Sequence, residues 1–233
     1  MKKTFLLLLL CAAMLLSCVS CSKEKYDLLS STTQGTMTFD VRGKSGKAKQ
    51  IVVKDNGNII WTEKLDLDSS VTTLGAACGF VASDLNFDGA LDIQIAQSVA
   101  GDCVSYLCWL WDTESASYLP CEALNGLYNV MADAERKCVF VFDQKIEREQ
   151  YADASISTNT TDFTTQYVWA GGILTPKMRL SLTYYSKRDV YQASVAYYNA
   201  ATGEFEIDNT QERWLRTDEE LAEYDTSALY YFK

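Results

Sequence analysis

One continuous apolar run lies near the start of the chain; after it, short hydrophobic stretches alternate with turn-forming residues too closely for long helices. From about Thr36 onward this pattern predicts an all-β protein. The first predicted hairpin pairs residues 51–54 with 59–62 around Asp55-Asn56-Gly57-Asn58, where Asn-Gly supplies the positive φ angles of a tight turn. A second runs through 106–112, turns at 113–116 and returns through 117–119. A third runs through 193–199, turns at Ala200-Ala201-Thr202-Gly203 and returns through 204–207. The last two superpose at an offset of 87 residues, matching Trp111 with Tyr198, Asp112 with Asn199, Ser115 with Thr202 and Tyr118 with Phe205. Each turn, once closed, sets two aromatics opposite one another, a pair worth a few tenths to about 1 kcal/mol. Half that offset is close to the roughly 40–45 residues of a four-stranded propeller blade, so the expected fold is an antiparallel hairpin meander, small and β-propeller-like, of about five units. Recurrent hairpin chemistry accounts for the same match without a propeller. Residues 217–223, a Thr followed by acids, predict one short C-terminal helix.

The apolar run, residues 5–16 behind Lys2 and Lys3, is too short to span a hydrocarbon core of roughly 30 Å but has the length of a signal-peptide core. It ends in Leu15-Leu16-Ser17-Cys18, which resembles the lipobox of bacterial lipoproteins, whose cysteine is lipidated and becomes the new N-terminus. Cys18 is therefore the expected lipidation site. Cys21 is a second candidate, but it would place Cys18 where an aliphatic residue is preferred. The expected organisation is a lipoprotein signal peptide over 1–17, a Ser/Thr/Lys-rich tether over 18–35 and a single β domain over 36–233. The expected location is the outer membrane, lipid-anchored, on its periplasmic or cell-surface face.

Composition narrows the chemistry. The 233 residues contain no histidine, which excludes Ser-His-Asp and Cys-His catalysis, HExxH metalloproteases and His-ligated zinc or haem. With 21 Lys and Arg against 31 Asp and Glu the net charge is −10, and loss of the leader, with its two lysines, deepens it to −12. Such a surface disfavours nucleic acid. In so acidic a chain, carboxylate spacings such as Asp143 and Glu147 are expected from composition and do not by themselves mark a glycosidase.

One motif carries chemistry. Asp84-Leu85-Asn86-Phe87-Asp88-Gly89-Ala90-Leu91-Asp92 places side-chain oxygens at positions 1, 3 and 5, a glycine for a sharp turn, a carbonyl at Ala90 and a closing carboxylate at Asp92. Hard oxygen ligands in this order suit Ca²⁺, and three carboxylates repel one another without a cation. An EF-hand would have Glu where Ile95 stands, and the flanks read as strands, so the expectation is a calcium loop within a β-hairpin. A metal-free acidic turn is the plainer reading of the same residues.

Residues 80–93, the strand carrying Tyr106, Trp109, Trp111 and Asp112, then Tyr118-Leu119-Pro120 and Leu124-Asn125-Gly126-Leu127, together resemble a family of bacterial envelope lipoproteins. That family includes a xanthomonad type IV secretion immunity protein that inhibits a lysozyme-like peptidoglycan hydrolase. The resemblance is clearest over 80–127. It implies a calcium-binding, propeller-like fold, supports Asp84, Asn86, Asp88 and Asp92 as ligands, and implies a muramidase or related hydrolase as protein partner. It identifies no partner-binding residues, and Cys103, Cys108 and Cys121 depart from it.

The register that pairs Trp111 with Tyr118 also sets Cys108 opposite Cys121, either as a cross-strand disulfide of an oxidising periplasm or as two buried thiols. Cys78, Cys103 and Cys138 fit neither CxxC nor a zinc site. The 14 tyrosines and five tryptophans read chiefly as strand and core residues, with a sugar-stacking surface as the alternative. The expected function is that of a lipid-anchored calcium-binding envelope protein, not an enzyme, that binds and inhibits a lysozyme-like hydrolase. The alternative is a surface glycan-binding lipoprotein.

Overall fold

The structure is a computed structural model and describes residues 26–150 and 156–228. The predicted signal peptide and the start of the predicted tether, with Cys18 and Cys21, lie outside the described residues. Three antiparallel sheets follow one another along the chain. The first is the meander β1 (Asp27–Gln34), β2 (Met37–Lys44), β3 (Lys47–Asp55) and β4 (Asn58–Lys64). The second is β5 (Val81–Ser83), β6 (Asp92–Ala100), β7 (Cys103–Asp112) and β8 (Ser117–Pro120). The third, of seven strands, runs β9 (Met131–Asp133), β10 (Cys138–Gln150), β11 (Ile156–Ala170), β12 (Ile173–Tyr185), β13 (Val190–Asn199) and β14 (Glu204–Ile207), with β15 (Arg213–Leu215) also on β13.

All-β antiparallel pairing is as expected, and the matched hairpins close as their aromatics predict: Trp111 opposes Tyr118 and Tyr198 opposes Phe205, with rings 5.0 and 5.5 Å apart. The unit count differs. Two four-stranded meanders are blade-sized, but β10, β11 and β12 have 13, 15 and 13 residues and merge what would be further blades into one broad sheet. The tether also ends earlier than 35. Residues 27–34 form an edge strand on β2, held in part by the Ser31 hydroxyl donating to Asp40 Oδ1 at 2.7 Å. It is mostly exposed, and after Leu28 and Leu29 it holds only Ser, Thr and Gln, so no apolar alternation reveals it.

The middle sheet is packed on both sides, and the two-residue period of its strands divides the cores. Ile93, Ile95 and Trp109 join Phe39, Val41, Ile51 and Val53 of β2 and β3 in one cluster. Cys108 and Leu110 face the other way, into a cluster with Leu85, Leu124, Val139 and Val141 that ties this sheet to the third. The predicted C-terminal helix is α1 (Asp218–Ala228). Thr217 Oγ1 accepts from the Glu220 N–H while Glu220 Oε2 accepts from the N–H groups of Arg216 and Thr217, a reciprocal cap. Its Leu221 and Tyr224 pack on Leu182, Ala193 and Leu215 of the third sheet. Among the described residues no helix is long and apolar enough to cross a membrane.

Candidate functional site

The Asp84–Asp92 motif is the connection from β5 to β6, and its side chains fold it. Asp84 accepts the N–H groups of Asp88 (Oδ1, 3.1 Å) and Gly89 (Oδ2, 2.9 Å); Asn86 Oδ1 also accepts from Asp88 N–H at 3.1 Å. Asp88 Oδ1 accepts from Ala90 N–H at 2.8 Å, and Asp88 Oδ2 from the Asn86 amide at 2.9 Å. Phe87 and Gly89 take positive φ angles of 63° and 91°, the second where glycine carries no steric cost. Asp84, Asn86 and Asp88 are thus gathered on one turn, and each of the four Asp84 and Asp88 carboxylate oxygens accepts one of these hydrogen bonds, which leaves acceptor capacity for a hard cation.

Asp92 stands apart from that trio. It has no exposed surface; Oδ2 accepts from Leu85 N–H at 2.7 Å and Asn86 N–H at 3.3 Å, and Oδ1 from Trp111 N–H at 2.8 Å. Burial pushes its carboxyl up to about 6 against the opposing pull of these donors, and the charge of Asp88 adds to the rise. Among the described residues no three Cys, Asp or Glu side chains are close enough to form a metal site by themselves, so a calcium ion here would depend on the Asn86 oxygen and main-chain carbonyls besides Asp84 and Asp88. Two further anchors of the loop left no mark in the motif: Leu85 is fully buried, and Trp169 on β11 donates its indole N–H to Leu85 O at 2.8 Å across 84 residues of sequence.

The loop also walls a groove. Gly89, Ala90 and Leu91 face Met37, Asp55 and Ile60 of the first sheet across a volume of about 530 Å³, with Trp111 and Tyr118 on its lining. Behind it, Trp61 of β4 lies 5.0 Å from Tyr118 and 5.8 Å from Trp109, joining the two sheets through aromatic edges. Tyr118 is buried and its hydroxyl is held protonated by that burial and by the charge of Asp92.

Cys108 and Cys121 stand opposite, as the register requires, but both are thiols, as are Cys78, Cys103 and Cys138. The candidate disulfide is not formed. Cys121 donates its N–H to Cys108 O at 2.8 Å, so the pair lies at a hydrogen-bonded position, where side chains are farther apart than at the alternate one. The Cys108 N–H turns instead to Asn125 Oδ1 at 2.7 Å. Burial raises both thiols, most strongly Cys108. Asp143 and Glu147 are exposed on β10, and Glu147 is paired with Lys145 at 2.6 Å rather than with another acid.

No family model and no curated protein sequence matches the chain. Among solved structures it is similar to a Xanthomonas type IV secretion system related protein, at 13% identity and a TM-score of 0.47, over 79% of this chain and 87% of that one.

Proposed function

We propose that the chain is a calcium-stabilised binding protein of the bacterial envelope, lipid-anchored through Cys18, that holds and occludes a lysozyme-like peptidoglycan hydrolase. The observation that carries this reading is the groove between the first two sheets, one wall of which is the acidic loop itself. Its lining combines Met37, Ile60, Leu91 and the Trp111–Tyr118 pair with the acid of Asp55, suiting an apolar side chain delivered on a basic loop. Both flanking sheets are fixed by the Trp61 contacts, so the surface is preformed and little ordering cost opposes binding. Asp84, Asn86 and Asp88 would hold Ca²⁺, whose charge offsets their mutual repulsion and steadies the Gly89–Leu91 wall. The net charge of −10 favours encounter with a cationic enzyme. Inhibition is by coverage of the enzyme's cleft and requires no chemistry from this chain.

The test is peptidoglycan hydrolysis by a panel of cationic muramidases, including secreted effectors, with added protein. Near-stoichiometric suppression of at least one member is expected, weakened tenfold or more by Ile60→Asp and by Asp88→Ala. Full activity of every member at tenfold molar excess of this protein, with no complex by size-exclusion chromatography, would sink the proposal.

A further inference from the structure

We propose a second binding site, separate from the groove and independent of the hydrolase reading: a cleft on the third sheet that takes a short glycan bearing carboxylates. The cleft, of about 370 Å³, lies where the ends of β11, β12 and β13 meet β15. That volume is at the lower end of small-molecule sites, about 300–1,000 Å³.

Its lining has three parts. An aromatic plate is made by Trp214 and Tyr185, whose rings are 5.6 Å apart at 34°; Trp214 is 40% exposed although it belongs to a strand. An exposed indole face offers the electron-rich surface on which the C–H face of a pyranose packs. Beside the plate are oriented neutral polar groups. Tyr185 donates its hydroxyl to Gln192 Oε1 at 2.7 Å, and Gln192 donates its amide to Glu212 Oε1 at 2.7 Å, which fixes the Gln192 side chain. Asn159 is 9% exposed, lines the cleft, and accepts from Ser157 Oγ through its Oδ1 at 3.2 Å.

The third part is charge. Lys187 and Arg188 line the cleft from the β12–β13 turn, in which the N–H groups of Arg188 and Asp189 both bond Tyr185 O, at 3.0 and 2.9 Å. On a chain of net charge −10, the exposed guanidinium of Arg188, held by a tight turn over an aromatic and amide surface, favours an anionic ligand.

The experiment is calorimetric titration of the full chain with trigalacturonate and with the N-acetylglucosamine–N-acetylmuramic acid disaccharide, using the methyl ester of each as the uncharged control. Saturable binding of at least one acid is expected, at least tenfold weaker in Trp214→Ala. Arg188→Gln, at an exposed turn where folding is safe, is expected to weaken the acid at least fivefold and leave its ester unchanged. Ile60→Asp in the groove leaves both unaffected, which separates this site from the hydrolase reading. Binding of neither acid overturns the proposal, as does binding indifferent to both cleft variants. Equal affinity for acid and ester, with no effect of Arg188→Gln, overturns the anionic assignment.

Discussion

Asp92 is buried with its oxygens on three main-chain N–H groups from two elements, the loop and β7, so it ties the turn to the middle sheet. The cost of that burial appears in its titration. A carboxyl at about 6 when folded and near 3.8 when unfolded holds its proton longer in the native state, so the favourable contribution is complete below about pH 4 and is lost as pH rises through 6. In EDTA, the stability advantage of the wild type over Asp92→Asn, from urea unfolding, is expected to shrink by up to about 3 kcal/mol between pH 4 and 7. An advantage that grows over that range would refute the assignment. Asp40 poses the complementary case: a buried carboxylate that takes Lys54 Nζ at 2.6 Å, Arg42 Nη2 at 3.1 Å and the Ser31 hydroxyl. Removing one partner of such a set strands the others, so Asp40→Ala is expected to cost about 3–5 kcal/mol in urea unfolding. A loss under 1 kcal/mol would show the cluster to be solvated.

At the scale of elements, the hairpins with strong turn chemistry and paired aromatics were legible from the residues alone: Asn56 and Gly57 take positive φ angles of 47° and 83° as the Asn-Gly turn requires. Strand β1 was not, because an exposed Ser/Thr edge carries no alternation. The candidate site divides in the same way. Asp84, Asn86 and Asp88 were legible as one turn because their spacing is local, whereas Trp169 and Trp111 reach the loop by tertiary contact, for which sequence spacing gives no signal. The loop therefore combines a locally coded acidic turn with remote anchors. If the turn holds Ca²⁺ as proposed, its loss should loosen the turn without unfolding the sheets, because the anchors stay intact. EDTA is expected to lower the melting temperature by several degrees, with recovery on adding excess Ca²⁺, and to do so much less in Asp88→Ala. An identical melt with and without EDTA would remove calcium from the account.

For the whole molecule, the middle sheet is the keystone: it shares one core with the first sheet and a second with the third, so the groove and the cleft stand on separate sheets joined through common packing. The separation has an electrostatic consequence. The acidic surface as a whole, at −10, acts over distances comparable with the Debye length of about 8 Å at physiological salt, while the groove's apolar contacts act only on touching. In the proposed complex with a cationic hydrolase, salt should then act mainly on the encounter and little on the duration of the complex. In stopped-flow or surface-capture kinetics, raising the salt from 0.05 to 0.5 M is expected to reduce the association rate about tenfold or more and change the dissociation rate less than threefold. Ile60→Asp should do the reverse, since it leaves long-range attraction in place and removes apolar contact in the groove. If salt instead altered only dissociation, the complex would be held by ion pairs at its rim, and the groove would not be where the partner is gripped.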